Sequence, residues 1–197
     1  GGYGACRILP LLDYTGIQAK PNAFVGYSDV TAMHNAILVK TGLVTYHGSN
    51  ASSAFQPDNE ESGRRVLMEP VPVDASLLFS RKTRDGSKLK TIIPGRASGR
   101  LIGGNMTCLL RLLGTPYVPD FRGAILFLED TGEKAYRLDG NFCHLRLAGI
   151  LGQIGGLVLG QFDHSDATEE RRIATYLLRE AERIGVPSVT GAPIGHF

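Results

Sequence analysis

No charge of one sign accumulates along this chain. Its 21 lysines and arginines face 19 aspartates and glutamates, a net charge of +2. Without a basic run, composition makes no case for nucleic acid or an anionic membrane surface as partner. No apolar stretch is long enough to span a bilayer. The longest, such as "AGILGQIGGLVLGQF", are interrupted by glycine. The first residues lack the basic, apolar, small-residue order of a signal peptide. Cysteine is scarce: Cys6, Cys108 and Cys143 are odd in number and far apart, and no C-x-x-C occurs. That argues against a disulfide framework or a zinc knuckle, and for a reducing compartment. Tryptophan is missing altogether.

What is abundant is glycine, 25 of 197 residues, which implies many tight turns and close backbone approaches. The chain opens on the glycine-rich loop "GGYGA" and stops at "GAPIGHF". Both read as loops between elements, so the expectation is a piece of a longer protein.

The periodicity alternates between strand and helix. "CRILPLLDYTGI" reads as a short helix with Leu9, Leu12 and Ile17 on one side. "NAFVGYS" reads as a short buried strand, and "DVTAMHNAILVKTG" as a helix with Val30, Met33, Ile37 and Leu38 on its apolar face and Gly42 as its stop. "LVTYHG" reads as the next strand. The β–α–β order implies a parallel sheet in an α/β layer.

Residues 50–98 are rich in Pro, Gly and Ser, with a loop, a helical patch and a hairpin or edge pair around Asp85-Gly86. From Arg100 a second unit begins. It shows a strand, a Gly-Gly-Asn turn and a helix, then the strand "RGAILFLEDTGE", a helix, the strand "IGGLVLGQFD" and an amphipathic helix. That last helix has Thr168 as N-cap, Glu169 and Glu170 in its first turn and Gly185 as stop. "VPSVTGAPIGH" closes the chain as strand and loop. The expected division is 1–69, a linker over 70–98, and 99–197.

Ser28 has two readings. As a helix N-cap it contributes about 1 kcal/mol. As a nucleophile it stands proud of the sheet, with the Asp29 N–H and the helix dipole aimed where an oxyanion would form. Gly26 fits the first glycine of a G-x-S-x-G elbow, but Val30 replaces the second. A nucleophilic serine needs a base, and five histidines are available. His34 lies about 240° around the same helix from Ser28. His47 ends a strand, where it could line the same rim or serve the surface. His144 reads as a packing residue and His164 as a turn residue. His196 follows "GAPIG" in a loop after a strand, where functional side chains concentrate. Glu129, at the carboxyl end of a central strand, is the candidate to orient the base. Its neighbour Asp130 competes, since strand neighbours face opposite ways. "GGYG" is no Walker loop, although its N–H groups could supply a second oxyanion donor. "GGN" at 103–105 is an anion cradle or a structural turn.

Taken together, "GGYGACRILPLLDY", "VGYSDVTAMH", "GGNMTCLL", "GTPYVP", "ILFLEDTGE" and "PIGH" occur in the order seen in LD-carboxypeptidases and the related microcin-C-immunity peptidases, a serine peptidase family which the chain resembles over nearly its whole length. The resemblance implies an α/β fold: a flavodoxin-like parallel-sheet N-terminal domain, partial here, and a smaller α/β C-terminal domain, with the site at their interface. Members begin with further βα units before the GGYG loop and continue past the histidine loop. The resemblance makes Ser28 the nucleophile, His196 the base and Glu129 its orienter, with oxyanion donors from Asp29 and from Gly1 or Gly2. Ser28 Oγ is then expected within, or nearly within, hydrogen-bond reach of His196.

The implied reaction is hydrolysis of an amide that joins an L-centre to a terminal D-amino acid. The typical substrate is a murein tetrapeptide, which loses D-Ala during cytoplasmic peptidoglycan recycling, without metal or cofactor. Asn105, Arg137 and loop amides near Gly103 are candidates to hold the substrate carboxylate. The family is often homodimeric. Two rival readings stand beside this one. The first is cleavage of toxic peptide-nucleotides, which calls for an aromatic face that the absence of Trp disfavours. The second is a non-catalytic α/β anion-binding module.

Overall fold

A computed structural model describes residues 2–50, 57–69, 72 and 89–196. Two parallel layers meet in it. The first is a pair of two-residue strands, β1 (Val25–Gly26) and β2 (Tyr46–His47), joined by helix α3 (Thr31–Thr41). Gly42 ends that helix in the left-handed conformation, with its N–H on the Leu38 carbonyl. Ahead of them, the expected single helix is broken in two. Helix α1 (Ala5–Ile8) runs into a 3-10 turn with Pro10 in its first positions, and α2 (Tyr14–Ala19) restarts on Asp13, which caps it by accepting from the Gly16 N–H.

Helix α4 (Pro57–Met68) follows. Most of the hairpin expected around Asp85-Gly86 lies outside the described residues. Its far end, Lys90–Ile93, is strand β3. Residues 90–93, which the sequence reading placed in the linker, run as the edge strand of the second layer.

That layer is a five-stranded sheet in the order β3-β7-β6-β5-β4, from β4 (Leu101–Asn105), β5 (Ile125–Thr131), β6 (Gly156–Asp163) and β7 (Ser188–Thr190). Only β3 is antiparallel. Helices α5 (Met106–Leu110), α6 (Ala135–Leu147) and α7 (Ala167–Ile184) supply the crossovers. The strands that cover the core are near-continuous apolar runs, as expected for parallel sheets buried on both faces. Leu126, Leu128, Leu157 and Leu159 pack with Leu138, Phe142, Leu145, Ile173 and Leu177 in the main core. A smaller cluster of Leu9, Ala32, Ala36 and Leu112 joins the N-terminal helices to the segment after α5.

Three local readings are corrected. The Gly-Gly-Asn segment is the end of β4 itself, not a turn. The N-cap of α7 is Asp166, whose carboxylate accepts the Thr168 N–H at 2.7 Å, not Thr168. Helix α3 buries small and polar residues, Thr31, Ala32, Asn35 and Ala36, as well as Ile37. That face lies against β4. Thr31 Oγ1 accepts the Asn105 N–H at 2.9 Å, and Asn35 Nδ2 donates to the Gly103 carbonyl at 3.1 Å. A Cβ on Gly104 would come 2.5 Å from Thr31 Oγ1, so that glycine sets how closely the two layers approach. No helix among the described residues is long and apolar enough to cross a membrane.

Candidate active site

The turn from β1 into α3 carries Ser28. Its φ is +65°, the only positive value on a non-glycine residue among the described residues. A serine in that region is costly by about 1–3 kcal/mol and persists only where its surroundings impose it. The capping reading fails here. Ser28 is the first residue of a 3-10 turn (Ser28–Val30) whose cap position is Tyr27, and α3 starts after Val30; neither start is held by a side-chain hydrogen bond. The missing second elbow glycine also has an explanation. The Val30 side chain lies over Gly26, where a Cβ would sit 2.9 Å from Val30 Cγ1. Gly26 supplies the room, and Val30 fills it.

Asp29 is buried, and its carboxylate is engaged. Oδ2 accepts the Ala5 N–H at 2.7 Å; Oδ1 stands 3.8 Å from Cys108 Sγ and 3.7 Å from Arg111 Nη1. Gly2, the second oxyanion candidate, has φ +98°, and Gly1 lies outside the described residues.

Glu129 and His196 meet across the sheet. Glu129 is fully buried, and its Oε2 takes His196 Nδ1 at 2.8 Å. Its Oε1 has no partner among the described residues. The carboxylate raises the imidazole pKa above the ordinary histidine value, through the hydrogen bond first, while burial opposes it. Because Nδ1 faces an acceptor, the neutral ring carries its proton there and presents a free Nε2 lone pair. The ring of Tyr27 lies edge-on to that of His196, 5.1 Å between centroids, which brings elbow and imidazole to one place. No hydrogen bond joins Ser28 Oγ to Nε2 among the described residues; such bonds are often long before substrate binds.

Backbone approach seats the histidine. Between Leu128 and Asp130 the β5–β6 ladder is irregular: Leu128 faces Leu159, and Asp130 faces Phe162, so Gly160 and Gln161 together oppose Glu129. The Gln161 N–H donates to the Ile194 carbonyl at 2.8 Å. A Cβ on Gly160 would overlap that carbonyl oxygen and come 3.2 Å from the Glu129 Cβ. Gly160 and Gln161 are candidate-site positions that the sequence reading passed over. A lone glycine inside an apolar strand signals a bulge or a close approach and could have found them.

The rivalry between Glu129 and Asp130 resolves by facing. Asp130 accepts from Asn105 Nδ2 (2.9 Å), from the Thr107 N–H (3.0 Å) and hydroxyl (2.7 Å), and from the Thr131 N–H (3.0 Å). Asn105 Oδ1 caps α5 by accepting the Cys108 N–H. Asn105 is thus buried in the scaffold. Gly103, also buried, gives its carbonyl to Asn35. Arg137 is exposed, 3.6 Å from Glu133.

The other histidines divide. His144 is exposed rather than packed, and His164 Nδ1 accepts the Asp166 N–H within its turn. His34 Nε2 donates to the Gly26 carbonyl at 2.9 Å. His47 is half-buried, with its ring nitrogens inside. It packs edge-on against Phe127 at 5.3 Å, neither ring nitrogen finds a hydrogen bond among the described residues, and burial pushes its pKa down to about 3, with His34 and His196 adding to the shift. His34 and His47 line a cavity of about 50 Å³ between the layers. No group of three or more His, Cys, Asp or Glu among the described residues could hold a metal ion.

A serine at positive φ in a strand-to-helix turn and a buried carboxylate–imidazole pair in the same region are groups that could serve nucleophilic hydrolysis. The chain matches the LD-carboxypeptidase N-terminal domain over residues 1–48 and the LD-carboxypeptidase C-terminal domain over residues 98–197. It belongs to the LD-carboxypeptidase family. It is 34% identical over its whole length to a Bacillus subtilis protein named "Probable murein peptide carboxypeptidase", of which it covers 61%. Its fold matches the crystal structure of muramoyltetrapeptide carboxypeptidase from Oxalobacter formigenes (TM-score 0.78, 29% identity, all of this chain and 67% of that one). It also matches MccF in complex with glutamyl sulfamoyl guanosine (TM-score 0.82, 25% identity, all of this chain and 66% of that one). The chain thus spans about three fifths of the length of its curated relative.

Proposed function

We propose that this chain carries the catalytic part of a serine-type LD-carboxypeptidase that releases the terminal D-alanine from murein tetrapeptide. The observation that carries the reading is the 2.8 Å Glu129–His196 pair beside the strained Ser28 elbow. Ser28 Oγ attacks the carbonyl of the L-centre while His196 Nε2 takes the hydroxyl proton. The Asp29 N–H and one from the glycine loop stabilise the oxyanion. Collapse of the tetrahedral intermediate expels the D-Ala amine, which receives the proton from His196. Water then repeats the sequence on the acyl-enzyme. Glu129 holds the ring in its Nδ1–H tautomer and stabilises the imidazolium. Arg137 and main-chain groups near Gly103 remain the proposed neighbours of the substrate carboxylate; the Asn105 side chain is engaged by Asp130 and the Cys108 N–H.

The proposed setting is cytoplasmic peptidoglycan recycling by a homodimer, with 1–69 as one unit and 99–197, together with strand β3 (Lys90–Ile93), as the other. A second reading is favoured by the fold match to MccF in complex with glutamyl sulfamoyl guanosine: hydrolysis of an aminoacyl or peptidyl nucleotide. The test incubates the full-length protein, wild type and Ser28→Ala, with L-Ala-γ-D-Glu-meso-diaminopimelate-D-Ala and, separately, with an aminoacyl sulfamoyl nucleoside. D-Ala release that the substitution abolishes supports the murein reading. Turnover of the nucleoside alone supports the second, and equal rates from both proteins refute either.

A further inference from the structure

We propose that the Asp29 carboxylate is the positioning residue of the oxyanion site, a role separate from that of its N–H. It would hold the glycine loop against the nucleophile elbow so that donors from both converge on one point. The inference rests on the hydrolase reading above.

The argument starts from cost. A carboxylate buried to 4% exposure is expensive unless its oxygens are paired. The partners of Asp29 come from two other parts of the fold. One is the Ala5 N–H, at the residue that follows Gly-Gly-Tyr-Gly. The other two are Cys108 and Arg111 on and just after α5. Arg111 is half exposed, so its guanidinium offers charge to the buried oxygen while remaining hydrated.

The other hold on the glycine loop is partial: Ala5 and Cys6, just after it, pack half-buried against the Leu9, Ala32, Ala36 and Leu112 cluster. Helix α1 buries no residue, and Gly2 and Gly4 both take positive φ, with no neighbouring atom within 4 Å of where a Cβ would stand. Tyr3 is 82% exposed. The next deeply buried side chain along the chain is Leu9. The Ala5–Asp29 hydrogen bond is therefore the polar anchor nearest the loop, and the one that ties it to the elbow. Three residues of chain from Ala5 to Gly2 allow at most about 11 Å of reach, so this bond confines the loop to the neighbourhood of Ser28. The same carboxylate, by being held, also fixes the peptide plane whose N–H points at the oxyanion. One side chain thus sets both donors.

The test uses the full-length enzyme with murein tetrapeptide, and a peptide boronic acid with boron in place of the scissile carbonyl, whose adduct with Ser28 carries the oxyanion. In Asp29→Ala, kcat should fall about 100- to 1,000-fold, in line with loss of one oxyanion donor. KM should stay within twofold, and the boronate inhibition constant should rise by the same factor as kcat falls. Arg111→Met, at a half-exposed site, should show the same split at smaller size, and Arg111→Lys should restore most of the rate. An active wild type beside an Asp29→Ala enzyme of wild-type kcat, or a loss confined to KM with boronate affinity kept, overturns the inference alone. Wild-type kcat in Arg111→Met overturns the part given to the guanidinium. A wild type that releases no D-Ala overturns the hydrolase reading and this inference with it.

Discussion

Gly160→Ala probes the contact that seats the histidine. The added Cβ would overlap the Ile194 carbonyl oxygen on one side and lie 3.2 Å from the Glu129 Cβ on the other. Ile194 Cβ is a third obstacle at 3.2 Å. Movement away from the loop drives the strand into Glu129, so the loop itself has to retreat, by about 1 Å if ordinary carbon contacts near 3.5 Å are to be regained. Two consequences follow. Overpacking of this kind costs about 1–3 kcal/mol of stability. The Gln161 N–H to Ile194 hydrogen bond, 2.8 Å in the native loop, stretches with it. His196 lies two residues further on, so its ring shifts relative to Ser28. A misplacement of about 1 Å at a reacting group is worth about 100-fold in rate. The assay is D-Ala release by the full-length protein under saturating substrate, with urea unfolding alongside. The expected outcome is a kcat lowered by about two orders of magnitude, with KM changed far less and cooperative unfolding retained at a lower midpoint. An alanine variant with wild-type kcat and wild-type midpoint refutes the reasoning, because the loop would then be placed by something other than this contact.

Glu129→Gln removes the charge that raises the His196 pKa. The base works as neutral imidazole, so the acid limb of the kcat/KM profile should lie above the ordinary histidine value in the wild type and move to lower pH in the variant, with a reduced plateau. An unmoved limb contradicts the pairing. His47, neutral in the fold down to about pH 3, takes up a proton on unfolding below its ordinary value of 6.5. Stability therefore drains away as pH falls between those two values, by about 2 kcal/mol at pH 5. Urea unfolding at pH 7.5 and 5 should show a loss about 2 kcal/mol larger for the wild type than for His47→Phe, and equal losses would contradict it. Glu180 is buried, with Arg146 Nη2 donating to its Oε2 at 2.6 Å on the helix pair away from the elbow. Arg146→Met should lower stability by about 1–3 kcal/mol, with kcat per folded molecule unchanged; a change in kcat would contradict the separation of core and site.

The sequence carried the parts of the fold that depend on local rules. Apolar runs at 125–131 and 156–163 became the buried parallel strands, and Gly42 and Gly185 ended their helices in the left-handed conformation. The site was legible as an ordered set of short segments, in which Ser28, Glu129 and His196 each had a loop or strand end to stand on. What escaped was decided by tertiary contact. The apolar face of α3 was expected at Val30, Met33, Ile37 and Leu38, yet Thr31 and Asn35 are buried too and satisfied by β4 groups more than 65 positions away in sequence. Val30 looked like a defect in the elbow until its side chain was found over Gly26. The Gly-Gly-Asn segment read as a turn because two glycines in a strand are rare; here they admit the Phe127 carbonyl and Thr31. Ser28 read as a cap from its neighbours, and only its backbone conformation separates the two roles.

The central claim is that Ser28 is the nucleophile and that the Glu129–His196 pair activates it. A fluorophosphonate forms a covalent adduct only with an activated serine, and mass spectrometry of the digested full-length protein locates and counts that adduct. The account predicts one adduct, on Ser28, forming in step with loss of D-Ala release and slowed by at least a hundredfold in His196→Ala. An adduct on another serine that tracks the loss of activity, or Ser28 labelling at the wild-type rate in His196→Ala, would contradict it.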